Sequence, residues 1–279
     1  MSEPELFLRC DHYTEGAVVA PDGRLYFSMT QISTISVVAT QNDGRGPRLW
    51  SCVPGANGHA VAPDGTHIVM SSTGAFLRLD ESGRITRVLA TQADGEDLIY
   101  PNGVALDPHR GGFFATDSGY KTTPKRIDGK PKGRIVRVAR DDRVSVVADG
   151  IAYANGVGLS PDGRTLYATA STTRQIWSYP VRNDGTLGSR VLFADVPTLP
   201  GEVTVPDGIT MGDDGSLYVA HFGAREVLLY ARDGTLVRRI PSGNRCTSHV
   251  GLDAARARAY ISGGLEDESG PGAIFTIEL

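Results

Sequence analysis

Short apolar runs alternate with breaks rich in Gly, Pro and Asp along the whole chain, and none of the runs approaches the 18 apolar residues of a membrane span. The runs come in pairs around a tight turn. Glu15-Gly-Ala-Val-Val-Ala-Pro-Asp-Gly leads into Leu25-Tyr-Phe-Ser, and Asn57-Gly-His-Ala-Val-Ala-Pro-Asp-Gly into Ile68-Val-Met-Ser. Asn102-Gly-Val-Ala-Leu-Asp-Pro precedes Phe113-Phe-Ala-Thr, and Asn155-Gly-Val-Gly-Leu-Ser-Pro-Asp-Gly precedes Leu166-Tyr-Ala-Thr. Asp207-Gly-Ile-Thr-Met-Gly-Asp-Asp-Gly and, more weakly, Ser248-His-Val-Gly-Leu-Asp complete the set, followed by Leu217-Tyr-Val-Ala and Ala259-Tyr-Ile-Ser. Strand, Asp-Gly turn and strand is a hairpin signal.

Registered on the turn, the copies begin at positions 15, 57, 102, 155, 207 and 248, at intervals of 42, 45, 53, 52 and 41 residues. Most copies add a third and fourth run, such as Val227-Leu-Leu-Tyr and Leu236-Val-Arg-Arg-Ile. Four strands in a unit of this length mark a propeller blade. The pattern predicts an all-β, six-bladed β-propeller of four-stranded antiparallel blades, one domain over residues 1–279. The last copy ends after Ala273-Ile-Phe-Thr-Ile, so the N-terminal Leu6-Phe-Leu-Arg is expected to supply its outer strand and close the ring.

The first strand of a blade lines the central channel, so equivalent positions converge on one ring: Glu15, Asn57, Asn102, Asn155, Asp207 and Ser248. Asn and Asp are also favoured at strand starts by turn chemistry. Six oxygen-bearing side chains in one register ask for more than that. Two carboxylates facing each other are costly unless something positive lies between them. Ca²⁺, with six to eight oxygen ligands drawn from carboxylates and amides, meets this need, whereas zinc or copper favours His and Cys clusters.

Composition narrows the classes. With 28 basic and 32 acidic residues the formal net charge is −4, which speaks against nucleic acid as a partner. The 40% hydrophobic content supports a packed core, and 34 Gly with 16 Pro suit many turns. Cys10, Cys52 and Cys246 are odd in number and far apart, as in a reducing compartment, and the acidic start lacks a secretory pattern. A cytoplasmic protein, a monomer or weak homo-oligomer acting on a small molecule, is expected, with no membrane partner. No GxSxG elbow for a serine hydrolase occurs.

The chain resembles the SMP-30/gluconolactonase/LRE family, which includes regucalcin-type lactonases and, more distantly, diisopropyl fluorophosphatase. The likeness runs through Glu15-Gly, Pro101-Asn102-Gly, Ala154-Asn155-Gly-Val with Ser160-Pro-Asp-Gly-Arg-Thr-Leu-Tyr, and Pro206-Asp207-Gly. It implies that Glu15, Asn155 and Asp207 hold a catalytic divalent cation, Ca²⁺ or else Zn²⁺, Mn²⁺ or Mg²⁺. Asn102 is then placed beside it, on substrate or water, and the implied reaction is metal-dependent lactone hydrolysis. Asp207 is either a ligand that also takes a proton from water or the nucleophile itself.

Sugar-lactonase members carry an Arg two residues before the Asn matching Asn102, and here that position is Tyr100. An aromatic ring with one hydroxyl replaces a charged fork, so a less polar or aromatic lactone stands beside a sugar-acid lactone as expected substrate. Asn57 belongs to the same substrate space by register. His59, two residues past its ring position, is expected to face the channel. His221 ends a second strand, and His249 follows Ser248 where the fluorophosphatase branch has a histidine. Each is a candidate for substrate contact or proton transfer, or for a structural hydrogen bond. The stretch from Asp117 to Gly133, with Lys121, Lys125, Lys130, Lys132 and Arg126, reads as a basic lid over the mouth or as an ordinary solvated loop. A metal-dependent lyase, isomerase or cyclase, and a non-catalytic ligand-binding propeller, remain alternatives to the hydrolase.

Overall fold

The computed structural model describes residues 3–41, 46–121 and 130–279. Among the described residues the chain is all-β, broken only by three-residue helical turns such as Thr30–Ile32 and Ser171–Thr173. Four antiparallel four-stranded sheets follow in chain order. The first holds Glu15–Val19, Arg24–Met29, Thr34–Ala39 and Arg48–Cys52. The second holds Ala56–Val61, His67–Ser71, Ala75–Leu79 and Ile85–Ala90. The third runs through Pro101–Leu106, Phe113–Asp117, Gly133–Val138 and Val144–Ile151, and the fourth through Ala154–Leu159, Thr165–Ala170, Gln175–Pro180 and Val191–Asp195.

Apart from a two-stranded hairpin, Gln92–Ala93 with Glu96–Asp97, the remaining strands depart from the expectation of six separate blades. Val205–Met211, Leu217–Phe222, Glu226–Tyr230 and Leu236–Pro241 belong to one eight-stranded sheet with Cys246–Asp253, Arg258–Gly264, Gly272–Glu278 and Glu5–Cys10. The joint is local: Phe222 pairs with Cys246, and the Gly223 N–H donates to the Arg245 carbonyl at 2.9 Å. Glu5–Cys10 pairs antiparallel with Gly272–Glu278, with Leu6 opposite Phe275. So the arrangement is propeller-like, with four free-standing sheets.

The hairpins form for the reason the repeat suggests. In the Pro-Asp-Gly turn the Asp22 carboxylate accepts from the Arg24 N–H at 2.9 Å, and Gly23 takes a positive φ of 79°. Asp64, Asp162 and Asp214 accept in the same way from Thr66, Arg164 and Ser216. Behind the turns the core lies between successive sheets. Tyr26, Ile35, Trp50, Val69 and Leu79 fill one such interface, and Met70, Phe76, Phe113 and Val136 the next. Each such side chain contributes about 1.5–3 kcal/mol by leaving water.

The first strands pack on one another in sequence from Glu15–Val19 to Cys246–Asp253, and that last strand packs back on the first. Glycine makes the approach possible. A Cβ on Gly58 would lie 2.1 Å from the Asn102 carbonyl oxygen, and one on Gly156 would lie 2.4 Å from that of Asp207. At five of the six ring positions the next residue, Gly16, Gly58, Gly103, Gly156 or Gly208, is glycine because the neighbouring strand's backbone fills the space of a side chain; after Ser248 it is His249.

Candidate active site

Each ring residue sits at a break in strand register. The shifts fall between Glu15 and Val18, Ala56 and His59, Pro101 and Val104, Ala154 and Val157, Pro206 and Ile209, and Thr247 and His249. A bulge re-aims a side chain out of the pleat. Here the result is a funnel of about 520 Å³ whose lining includes Glu15, Asn57, Asn102, Asn155 and Asp207. Ser248, the sixth ring position, does not join them. It is fully buried, its hydroxyl donating to the Thr14 carbonyl at 2.9 Å and sharing a 2.8 Å hydrogen bond with Ser262.

Hydroxyl groups from one sheet fix the ring residues of the next. Ser28 donates to the Asn57 carbonyl at 2.9 Å, Thr116 to that of Asn155, and Thr169 to that of Asp207 at 2.9 Å. Two residues further on, Thr30, Ser118 and Ser171 donate to the carbonyls of Ala56, Ala154 and Pro206. Ser118 also accepts from the Asn102 side-chain amide at 3.2 Å. Asp117, fully buried, accepts from the Tyr100 N–H at 2.8 Å and from Arg134 at 2.6 Å, which anchors the entry to Asn102.

The two carboxylates are buried together. Loss of water pushes Glu15 up to about 7 against the opposing Gly16 N–H (2.8 Å) and the Tyr13 hydroxyl (3.4 Å). Asp207 rises well above the ordinary carboxylate range, first through burial and then through the charge of Glu15, while the Asn155 side chain opposes the rise. None of the groups that shift either carboxylate is a cation. The Asn57 side-chain oxygen is buried without a partner. Two close carboxylates, neighbouring amides and an unsatisfied oxygen form a donor set that suits a hard divalent cation. Among the described residues no cluster of three His, Cys, Asp or Glu side chains offers an alternative metal site.

The histidines stand off the funnel, and two of them share a chamber with Glu15, Asn102, Asn155 and Asp207. His59 and His249 border a chamber of about 10 Å³ beneath the ring, room for one water, and do not line the funnel. His59 Nε2 meets His67 Nδ1 at 2.8 Å, and both rings lie against Trp50. Burial holds His59 well below the ordinary histidine range, and His249 is lowered too, its Nδ1 3.0 Å from the Ala17 carbonyl. His221 is fully buried with Nδ1 2.9 Å from Glu226, and borders neither cavity. Tyr100 does line the funnel, its phenol pushed up to about 12 by burial first and then by Glu15.

Sequence reasoning passed over Tyr13, Tyr153, Phe222 and Glu268, all in the funnel wall. Their signal was positional: Tyr13 and Tyr153 precede Glu15 and Asn155 by two residues, as Tyr100 precedes Asn102. The lid stretch falls partly outside the described residues, since residues 122–129, with Lys125 and Arg126, lie beyond them.

A family model described as "SMP-30/Gluconolactonase/LRE-like region" matches residues 13–263. The chain belongs to this family. A gluconolactonase from Zymomonas mobilis is 28% identical over 200 residues, which cover 68% of this chain and 55% of that protein. This family member thus spans about half the length of the curated relatives it matches. A solved gluconolactonase from Xanthomonas campestris, 21% identical, aligns over 100% of this chain and 95% of its own with a TM-score of 0.81. A calcium-binding protein, regucalcin, from Agrobacterium tumefaciens is 18% identical and aligns over 98% and 94% with a TM-score of 0.80. These structures share the family fold. No helix among the described residues is long and apolar enough to cross a membrane.

Proposed function

We propose that this chain is a divalent-metal-dependent hydrolase that opens a lactone at the floor of the funnel. The observation that carries the reading is the buried pair Glu15 and Asp207, set beside Asn155 with no cation among the groups acting on them. The family's gluconolactonase and lactonase members support the reaction class, and the regucalcin likeness supports Ca²⁺ as the ion.

Glu15, Asn155 and Asp207 would hold the cation. Once bound, it supplies Lewis-acid polarisation of the lactone carbonyl. The side-chain amide of Asn102 is tied to Ser118, which leaves its carbonyl oxygen for a water or a substrate hydroxyl. The Asp207 carboxylate accepts a proton from the attacking water as the new C–O bond forms. It returns that proton to the ring oxygen as the acyl C–O bond breaks, so the product is the open hydroxy acid. The eight-stranded sheet is read as two blades sharing one seam, six in all, with Glu5–Cys10 as the outer strand of the last; the circuit of first strands supports this.

The test is turnover of sugar, aliphatic and aryl lactones by chelator-stripped protein with and without Ca²⁺. Opening that needs the metal is expected. Silence across the set, with Ca²⁺ binding seen by calorimetry, would overturn the reading.

A further inference from the structure

Among the described residues that line the funnel, Arg174 is the one lysine or arginine, against the carboxylates of Glu15, Glu202, Asp207 and Glu268. Glu15 and Asp207 belong to the floor, and Glu202 is matched by Arg245 at 2.6 Å. Glu268 bears on the floor as well, since its charge raises Asp207. Arg174 shifts neither floor carboxylate, so its guanidinium stands apart from them. Among the described residues that guanidinium makes no ion pair and no hydrogen bond.

The backbone beneath it is tied down. Ahead of Arg174 the turn Ser171–Thr173 is held by the Ser171 N–H on the Tyr153 carbonyl at 3.1 Å, the Thr172 hydroxyl on that of Ala152 at 2.9 Å, and the Ser171 hydroxyl on that of Pro206 at 2.8 Å. Arg174 closes the turn in the left-handed region at φ 55°, and its carbonyl accepts from the Val196 N–H at 2.8 Å. Val196 opens the segment that brings Thr198 into the same wall. The acids of that segment are engaged elsewhere, Asp195 by Gln175 at 3.4 Å and Glu202 by Arg245. Before the third strands of the first, second and fifth sets the same left-handed position holds Ser33, Gly74 and Arg225, and Arg225 is spent on Glu266 at 2.9 Å. A long basic side chain at Arg174 thus carries a charge that the fold does not use. Lys132 adds to it: its ammonium lies 4.8 Å over Tyr120, whose ring stacks on Tyr153 in the funnel wall. Positive charge gathers where the third and fourth sheets meet the mouth.

We propose that Arg174 is a specificity residue that receives an anionic group of the lactone, a carboxylate, sulfonate or phosphate, remote from the carbonyl that is opened. The inference rests on the lactonase reading above. The guanidinium fork matches the oxygens of all three groups. Because the contact lies away from the floor, it contributes to binding more than to the chemical step. At an exposed position, screened by water and salt, it is worth about tenfold, the low end for a charged hydrogen bond.

The test holds the lactone ring constant and changes one group. It compares kcat/KM of the full chain with Ca²⁺ on glucono-δ-lactone and on its analogues with carboxylate, sulfonate or phosphate at the primary carbon. At least one analogue is expected to lead the neutral lactone by about tenfold, mainly through KM, and the ranking identifies the anion. That lead should shrink as salt rises. It should fall by about tenfold in Arg174→Asn, which suits a left-handed backbone, and survive in part in Arg174→Lys. If thermal melts show that the variants fail to fold, the salt dependence of wild type decides, and a lead indifferent to salt overturns the proposal. If the neutral lactone is opened as well as every analogue, or the lead persists in Arg174→Asn, the anion site is overturned while the lactonase reading stands. If none is opened, the lactonase reading fails, and calorimetry with anhydroglucitol and its carboxylate, sulfate and phosphate derivatives decides the site by itself. Tighter binding of a charged derivative, lost in Arg174→Asn, supports it; equal or absent binding overturns it.

Discussion

Thr169 Oγ1 sits 2.9 Å from the main-chain carbonyl oxygen of Asp207, so a strand of the fourth sheet holds the acidic residue of the following strand from behind. Both residues are buried. Thr169→Val keeps the shape and removes the donor, leaving a buried carbonyl unpaired at a cost of about 1–3 kcal/mol. A lower melting temperature and weaker Ca²⁺ binding are expected, with Thr169→Ser restoring both. Calorimetry that shows unchanged affinity in the valine variant would separate the hydroxyl from the site.

Glycine at the position after Asn155 makes a sharper prediction. A Cβ on Gly156 would meet the Asp207 carbonyl oxygen at 2.4 Å and the Ile209 nitrogen at 2.5 Å, both backbone atoms. Backbone cannot swing aside as a long side chain can. Gly156→Ala should therefore destabilise by about 1–3 kcal/mol, as overpacking does, and should weaken metal binding more than Gly95→Ala weakens it. At Gly95 a Cβ would have no atom within 4 Å, and the positive φ of 83° there makes it a control for backbone strain alone.

The same glycines explain why so much of the fold is legible in the sequence. Template repeats can be read because each copy solves one steric problem, a hairpin whose first strand touches the next, and the Pro-Asp-Gly and Asn-Gly steps record that solution. The convergence of Glu15, Asn102, Asn155 and Asp207 follows from the same register. Three things did not follow. Ser248 shares the register but spends its hydroxyl on Thr14, because a serine is short enough to hydrogen-bond the adjacent strand. His59 does face the channel, on a chamber lined also by Glu15, Asn102, Asn155 and Asp207, but alternation does not announce the partner that takes up its Nε2, His67 from the second strand. The joining of two strand sets into one sheet depends on a single pairing, Phe222 with Cys246, that no periodicity announces.

The His59–His67 pair sets a pH dependence of stability. Burial lowers His67 from 6.5 to about 4, and His59 well below its ordinary value. An unfolded chain protonates these rings near pH 6.5, while the folded chain does not until about pH 4, so the unfolded state binds more protons between those values. Their contribution is present above pH 6.5 and is lost as pH falls toward 4. The buried carboxylates Glu15 and Asp207 are raised, so in metal-free protein they act in the opposite sense. Comparison of wild type with a His59→Asn, His67→Asn double variant isolates the pair. Its melting temperature should decline less steeply from pH 6.5 to 4.5, and parallel curves would remove the histidines from the account.

Glu15→Gln keeps the size of the side chain and removes one of two buried charges. In metal-free protein the change should leave stability equal or higher, because Asp207 no longer faces a like charge. With Ca²⁺ present the order should reverse, since stabilisation by a ligand scales with its affinity. Melting curves with chelator and with excess Ca²⁺ read both effects. A variant stabilised by Ca²⁺ as strongly as wild type would take Glu15 out of the ligand set.

Asp207 poses the last question, base or nucleophile. Asp207→Asn should cut turnover by orders of magnitude under either role, with the fold retained, so the loss alone does not choose between them. A single turnover in water labelled with heavy oxygen does. If Asp207 removes a proton from water, the labelled oxygen enters the product carboxylate at the first turnover and the protein stays unlabelled. If its carboxylate attacks the lactone carbonyl, the ring oxygen leaves as a hydroxyl and a mixed anhydride forms. Water cleaving it at the Asp207 Cγ leaves label in the protein, and a second experiment with pre-labelled Asp207 catches cleavage at the substrate carbon, which carries that label into the product. The first outcome is the one the proposed mechanism requires, with the Asn155 side chain bonded to this buried carboxylate. Mass spectrometry of the peptide containing Asp207 after one turnover should show no added mass.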